Sequence, residues 1–493
     1  MLDAIRRAHR TLERKERVYR WRGPKTSFAD PGDLIFPAAT AEEHFEKWFQ
    51  ELADDYLMPL SIGRVALLWD KSFLWGYLAV YTLRDLGFSF DLLTAADVRK
   101  GALRGYQALM VPGGWASLKC EALGPEGMEQ VQRFVEMGGS YLGICGGAGL
   151  ALQVDEGLGL LPATRKPINE RLPNFSGSIR IQTDGSHPFW WGLQEGICFQ
   201  VWWPSQFELT EPERIQVLGK YGEPGSDFCV SDLNVQAAKA AGYDWKDLEK
   251  SYEINLDPRR LLNEPALLQG TCGKGRVVLS YPHLETPGDT AGNMALFNIW
   301  YYLLNAMNLC DGPRVDEIRH ARTIPVDGES RERAREMALE AEKLVALGES
   351  YDLWSWRNPW FLQWKRGIRG AEYGTVSVLL QVLARELEQT RAIAPASGIT
   401  VSEKMGVELE KLEKLWKAFR YKSQELLEEE ARFLGGSTGR GVVEPSPQGQ
   451  ALRKEIFNCV QCYGSKTYGG LYRNLLDQID TLLFGALLAD LQK

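Results

Sequence analysis

The chain has 493 residues, 44% apolar and 25% charged, an ordinary balance for a globular protein with room for two or three domains. A net charge of −8 at pH 7 gives no general support for nucleic-acid binding. Eight dispersed cysteines do not make a disulfide framework, and no uncharged apolar run reaches the roughly 18 residues that a membrane span needs, so a cytoplasmic protein is expected.

Residues 1–60 read as a helical leader. Its start, Met1–Arg7, carries charges of both signs and no apolar core, unlike a secretory signal. Arg6, Arg7, Arg10, Arg14, Lys15, Arg17, Arg20 and Arg22 make it basic, but Glu13 and Glu16 interrupt the run. We read a solvated helix face, with a nucleic-acid arm as the alternative. Pro24, Pro31 and Pro37 mark a loop, and Ala41–Leu52 resumes a helical pattern.

Residues 61–310 read as an α/β domain. Arg64–Trp69, Phe88–Leu92, Gln107–Val111 and Ser140–Ile144 are strand-like apolar runs of the kind that parallel strands covered on both faces require. Helical segments separate them: Leu74–Leu86, stopped by Gly87; Thr94–Lys100; and Pro125–Met137, stopped by Gly138 and Gly139. This alternation predicts a doubly wound, mostly parallel sheet, which binds ligands at the carboxyl ends of its strands. Short runs at Ser178–Gln182, Cys198–Trp202, Gln206–Leu209 and Ile215–Leu218 suggest antiparallel additions, and about 225–265 a helical insertion. The sheet pattern resumes at Ala266–Thr271 and Lys274–Ser280, followed by a helix over Asn293–Met307.

Residues 311–493 read as helices only, a bundle without a catalytic signature. Met405, Leu409, Leu412, Trp416, Phe419, Leu426 and Phe433 follow an alternating four-three spacing, with Ser423 and Glu430 as exceptions, which predicts a packed seam. Gly435–Gln450 is a Gly/Ser/Pro-rich loop. Tryptophans cluster at Trp190, Trp191, Trp202 and Trp203 and again at Trp354, Trp356, Trp360 and Trp364; we read them as core and interface residues rather than stacking platforms.

The chemistry centres on Ser140–Leu150, a buried strand that stops at Cys145 and turns into a helix between glycines. Such a turn forces strained angles at its apex, lifts one side chain over the sheet edge and aims helical N–H groups at what that side chain attacks. A buried cysteine in a glycine-rich turn is the alternative. A thiol needs a base, and the chain offers His9, His44, His187, His283 and His320. His283 alone lies just past an expected core strand, on the rim where Cys145 would be, and Glu285 is placed to orient its imidazole. Such a His-x-Glu pair also arises by chance on loops. The N–H of Gly146 and one from Gly113–Gly114 could receive a developing oxyanion, or the glycines could simply make tight turns.

Val111–Gly114, Gly143–Gly147, and Gly273–Arg276 with Pro282–Glu285 together resemble the class I glutamine amidotransferase-like superfamily. Within it, the chain is most similar to the biotin–protein ligase N-terminal domain family, over about residues 62–308. The resemblance implies a flavodoxin-like fold, with Cys145 as nucleophile, His283 as base and Glu285 as the residue orienting it. Glutamine-hydrolysing members usually carry Gln or Glu four residues after the nucleophile, where this chain has Gly149, which argues against glutamine as substrate. There is no synthetase-like domain to receive ammonia, and Thr438–Val442 is only faintly like the biotin ligase loop. Cys459 and Cys462 form a single pair without further zinc ligands, and no Walker or dinucleotide fingerprint appears, so no metal or cofactor is expected.

Two functions remain in view. One is a cysteine-dependent amidotransferase-like hydrolase that cleaves an amide or γ-glutamyl-type bond of a small molecule or peptide through a Cys-His-Glu triad. The other is a non-catalytic scaffold that binds a protein partner through its helical domain. Neither requires nucleic acid or a membrane span.

Overall fold

The computed structural model describes residues 1–26, 29–36, 56–194, 196–305, 326–389, 401–434, 446–458 and 468–491. Helix α1 (Leu2–Glu13) turns Ile5, Ala8, His9 and Leu12 inward and leaves arginines on its outer side, where Arg6 pairs with Asp3 and Asp85 at 2.7 Å each. The leader is not helical throughout. Strands β1 (Tyr19–Trp21), β2 (Leu34–Ile35) and β3 (Leu57–Pro59) form an antiparallel sheet in the order β2-β1-β3. Tyr19, Trp21, Ala29 and Leu57 supply its small core, and strands of two or three residues are too short to show an alternating pattern. The helix expected at Ala41–Leu52 lies outside the described residues.

Next come β4 (Val65–Leu68), α2 (Phe73–Leu86), β5 (Asp91–Leu93), α3 (Ala95–Arg99), β6 (Ala108–Val111), α4 (Ala116–Glu136), β7 (Ser140–Ile144) and α5 (Gly146–Leu150). Every residue of β4, β5, β6 and β7 is buried, as continuous apolar strands under two helical layers should be. Gly87 ends α2 in the left-handed region at φ 81°, and Thr94 with Asp97 makes a capping box at the start of α3. Helix α4 begins nine residues before the expected start at Pro125, because two helical pieces meet at a kink where Gly124 has φ 62° and ψ 175°.

Strands β8 (Ala163–Arg165), β9 (Phe175–Gln182), β10 (Cys198–Trp202), β11 (Phe207–Leu209), β12 (Gln216–Pro224), β13 (Cys229–Val230) and β14 (Leu233–Asn234) follow, then α6 (Val235–Ala240) and α7 (Trp245–Tyr252). Strands β15 (Pro265–Cys272) and β16 (Gly275–Ser280) and helix α8 (Thr290–Leu304) complete this part. Among the described residues the large sheet runs β14-β13-β9-β12-β15-β16-β7-β6-β4-β5, with β10 beside β9. Its parallel part is β5-β4-β6-β7-β16. Numbered along the chain, these strands stand in the order 2-1-3-4-5 of a flavodoxin-like fold. The remaining pairings in this sheet, from β15 outward, are antiparallel.

The chain forms two compact units, Met1–Tyr243 with Asn255–Arg319, and Asp244–Ile254 with His320–Lys493. The insertion around 225–265 is therefore shared: β13, β14 and α6 stay with the sheet, whereas α7 belongs to the second unit, where Arg366 lies 4.1 Å from the centre of the Tyr252 ring. That unit holds α9 (Gly328–Ser350), β17 (Trp354–Asn358), β18 (Phe361–Trp364), α10 (Gly370–Gln389), α11 (Val401–Leu434), α12 (Pro447–Phe457) and α13 (Gly470–Leu491). Among the described residues it is helical with one addition, the β17–β18 hairpin, where Trp354 and Trp364 face each other across the ladder. On α11, Met405, Leu409, Leu412, Trp416, Phe419 and Leu426 are buried, but Phe433 is 39% exposed. Ser423 and Glu430, the exceptions in the apolar pattern, are buried too. Glu430 accepts hydrogen bonds from Arg453 Nε and Nη2 at 2.8 and 2.6 Å, so a paired charge replaces an apolar residue in the seam. No described helix is long and apolar enough to cross a membrane.

Two expectations follow for stability. A Cβ on Gly147 would lie 1.9 Å from the Val111 carbonyl oxygen, whereas one on Gly149 would have its nearest neighbour, Ala116 Cβ, at 3.4 Å. In chemical unfolding, Gly147→Ala should therefore cost about 1–3 kcal/mol or more and Gly149→Ala clearly less; equal losses would refute the close packing. His9 is buried among Phe88, Phe297 and Tyr301, and burial lowers its pKa to about 4 despite the hydrogen bond from Nδ1 to the Leu86 carbonyl. As pH falls from about 6.5 to 4, the unfolded chain gains a proton that the folded chain refuses, so up to roughly 3 kcal/mol of stability should be lost. Unfolding curves of His9→Phe against pH should lack this component.

Candidate active site

Strand β7 ends where the backbone is too tightly packed for any turn but one. A Cβ on Gly143 would lie 2.6 Å from the Gly147 carbonyl oxygen, and one on Gly146 would lie 1.9 Å from that of Gly114. Cys145, between them, takes φ 50° and ψ −102°, a strained conformation for a residue with a side chain. The Cys145 N–H donates to the Ser280 carbonyl at 2.7 Å, which ties the elbow to the end of β16, and the Tyr141 hydroxyl donates to Gly147 O at 2.8 Å. Cys145 remains partly exposed while its neighbours on both sides are buried.

Beyond β16, Tyr281–Glu285 doubles back over the rim. The His283 N–H donates to Gln200 O at 2.8 Å, Thr82 Oγ1 donates to Glu285 O at 2.8 Å, and Asn293 Nδ2 reaches Leu284 O and Thr286 O at 2.8 and 3.1 Å. His283 and Glu285 are each 1% exposed, and His283 Nδ1 lies 2.8 Å from Glu285 Oε1. A carboxylate only accepts, so Nδ1 carries the proton and Nε2 is left for Cys145. Nε2 is buried and forms no hydrogen bond of regular geometry. Burial opposes a charge on the imidazole, but the Glu285 carboxylate, which also holds Nδ1 at 2.8 Å, and then the charge of the Cys145 sulfur outweigh it and raise the His283 pKa. The Trp75 ring lies 4.5 Å from the imidazole, tilted by 32°.

The carboxyl ends of β4, β6, β7 and β16 thus meet on one rim. A Cβ on Gly113 would lie 2.9 Å from His283 Cε1, and one on Gly114, which has φ 105°, would lie 2.5 Å from the Lys71 carbonyl oxygen. Cys145, His283, Glu285, Gly113, Gly114 and Gly146 are all brought together. Gly149 N–H donates to Cys145 O at 2.9 Å, the first regular bond of α5, so the N–H of Gly146 is free of an intrahelical acceptor. His9 is packed in the core and His187 caps a short helical turn, accepting from the Phe189 N–H. His44, His320, Cys459, Cys462 and Thr438–Val442 lie outside the described residues. Among the described residues no three His, Cys, Asp or Glu side chains converge as metal ligands.

Trp75, Asn293 and Arg165 were not singled out from the sequence. Trp75 and Asn293 stand in the first turns of helices that follow rim loops, a placement that could have marked them. Arg165 lies on an outlying strand and carried no such mark. Its Nη2 would be 3.6 Å from a Cβ on Gly149.

Residues 100–154 match the family model described as biotin-protein ligase, N terminal. No curated protein matches the chain. Among solved structures, PurLQS from Thermotoga maritima is similar at 16% identity and a TM-score of 0.35, over 49% of this chain and 99% of that one. A protein described as a GMP synthase subunit, from Thermoplasma acidophilum, is similar at 13% identity and a TM-score of 0.32, over 53% and 100%. A glutamine amidotransferase from Thermotoga maritima is similar at 16% identity and a TM-score of 0.27, over 50% and 99%. The matched family stretch holds the Pro112–Gly114 loop and the Cys145 elbow, so it is at the rim that this chain resembles the biotin–protein ligase N-terminal domain.

Proposed function

We propose that this protein is a cytoplasmic, cysteine-dependent amidotransferase-like hydrolase acting on an amide or γ-glutamyl-type bond. The observation that carries the reading is the pairing of a strained elbow cysteine at φ 50° with a buried imidazole whose Nδ1 lies 2.8 Å from a carboxylate. In this mechanism the Cys145 thiolate attacks the carbonyl carbon and the tetrahedral oxyanion receives N–H groups from Gly146 and from Gly113 or Gly114. The imidazolium of His283 gives its proton to the departing amine; water, activated by the neutral imidazole, then releases the acid from the thioester. Glu285 holds the tautomer and stabilises the imidazolium.

A second reading, a scaffold that binds a protein partner through the helical unit, is favoured by α11, which leaves Val407, Tyr421 and Phe433 exposed at 49%, 64% and 39%. Turnover of a panel of amide and γ-glutamyl compounds separates the two. Cys145→Ala should lower turnover by more than about 10³-fold with the fold unchanged by circular dichroism; a mutant as active as the parent would refute the hydrolase.

The raised His283 pKa supplies a pH test. The proton needed for the leaving amine should persist well above the ordinary imidazole range, so the alkaline limb of kcat/KM should lie well above that range. Glu285→Gln removes the chief group that raises the pKa and should move this limb toward acid, while reducing kcat by about 10²–10⁴-fold. A limb that stays in place would mean that Glu285 does not tune His283.

A further inference from the structure

We infer that Arg165 and Arg171 form a carboxylate-binding subsite over Gly149, so that the substrate carries a negative group close to the bond attacked by Cys145. That the bound molecule is a substrate rests on the function proposed above; the subsite itself rests on geometry.

Arg165 ends β8 and lies opposite Phe207 of β11, whose ring stacks on Tyr281 with centroids 3.9 Å apart. Tyr281 stands two residues before His283, which brings the arginine to the active rim. Gly149 is one helical turn from the nucleophile, and the position its missing side chain would take lies 3.6 Å from Arg165 Nη2. Arg171, in the following loop, donates to Ser205 Oγ, and Ser205 lies two residues before Phe207, the β11 partner of Arg165. The Nε atoms of both arginines are buried without a hydrogen-bond partner. Lys166, next in sequence to Arg165, has its own acid in Glu264 at 2.8 Å; among the described residues neither arginine has one. Burial and the Arg165 charge both hold the Arg171 pKa below its usual value.

Two neighbouring guanidiniums with inward N–H groups and no counter-ion are costly unless an anion bridges them. A planar carboxylate matches their forked donors. Gly149 makes room for it: the residue that argues against glutamine opens the floor of the subsite.

Iodoacetate and iodoacetamide test this without knowledge of the substrate. Both form a carbon–sulfur bond to the Cys145 thiolate as the carbon–iodine bond breaks and iodide leaves, and they differ in bearing a carboxylate or a neutral amide. The rate ratio of iodoacetate to iodoacetamide, read at Cys145 by peptide mapping of the full chain, should exceed that of a cysteine peptide by about tenfold. Arg165→Gln should return the ratio to the peptide value. So should Gly149→Glu, which puts a carboxylate against Arg165 in cis at a position where a Cβ meets only ordinary contacts. Glutarate should protect Cys145 saturably and inorganic phosphate should not. A ratio equal to that of the peptide, or one unmoved by both variants, overturns the subsite, and protection by phosphate equal to that by glutarate overturns its assignment to carboxylate. Slow labelling by both reagents at a preserved high ratio would sink the activated nucleophile and support the subsite.

Discussion

The rim depends on how closely backbone approaches backbone around Cys145. At Gly143, Gly146 and Gly147 a Cβ would sit 2.6, 1.9 and 1.9 Å from a carbonyl oxygen of a neighbouring segment. No side chain fits at those distances, so the loops after β6 and β7 lock against each other and the strained angles at Cys145 are imposed from outside. The same contact sets the Gly113–Gly114 backbone beside the elbow. The position of Cys145 and that of the Gly113–Gly114 and Gly146 backbone are thus set by one and the same packing contact.

Around this frame the buried polar groups divide into two kinds. His283 and Glu285 pair with each other at 2.8 Å, and the peptide groups of their loop are tied down by Thr82, Gln200 and Asn293. A charge on the imidazole is therefore sustained despite burial. Arg165 and Arg171 repel each other and have no acid among the described residues, an arrangement suited to a charge brought from outside. In the second unit Arg453 is more deeply buried than either, but Glu430 meets it with two hydrogen bonds, and that pair acts within the packing of α11 and α12.

How much of this was legible in the sequence follows from the range of the forces involved. The strands of the parallel part, the helix stop at Gly87 and the seam of α11 were readable because burial on both faces or on one stripe imposes a local residue pattern. Cys145, His283 and Glu285 were readable because strand ends in a doubly wound sheet fall on one rim. The leader strands and the β17–β18 hairpin were missed because two to five residues carry too little pattern. Ser423 and Glu430 looked like defects in the seam, since Arg453, the partner that makes Glu430 fit, lies in another helix.

The sequence by itself determined the α/β alternation and the glycine-rich elbow, both properties of neighbours along the chain, and named Cys145, His283 and Glu285 as candidates at strand ends. Only the tertiary structure decided the strand order, the orientation of His283 by Glu285, the packing of Trp75 on the imidazole and the approach of Arg165 to Gly149. The last brings together residues far apart in sequence through the pairing of β8 with β11 and the stacking of Phe207 on Tyr281. Such contacts depend on long-range pairing and side-chain shape, to which no local pattern of residues is bound.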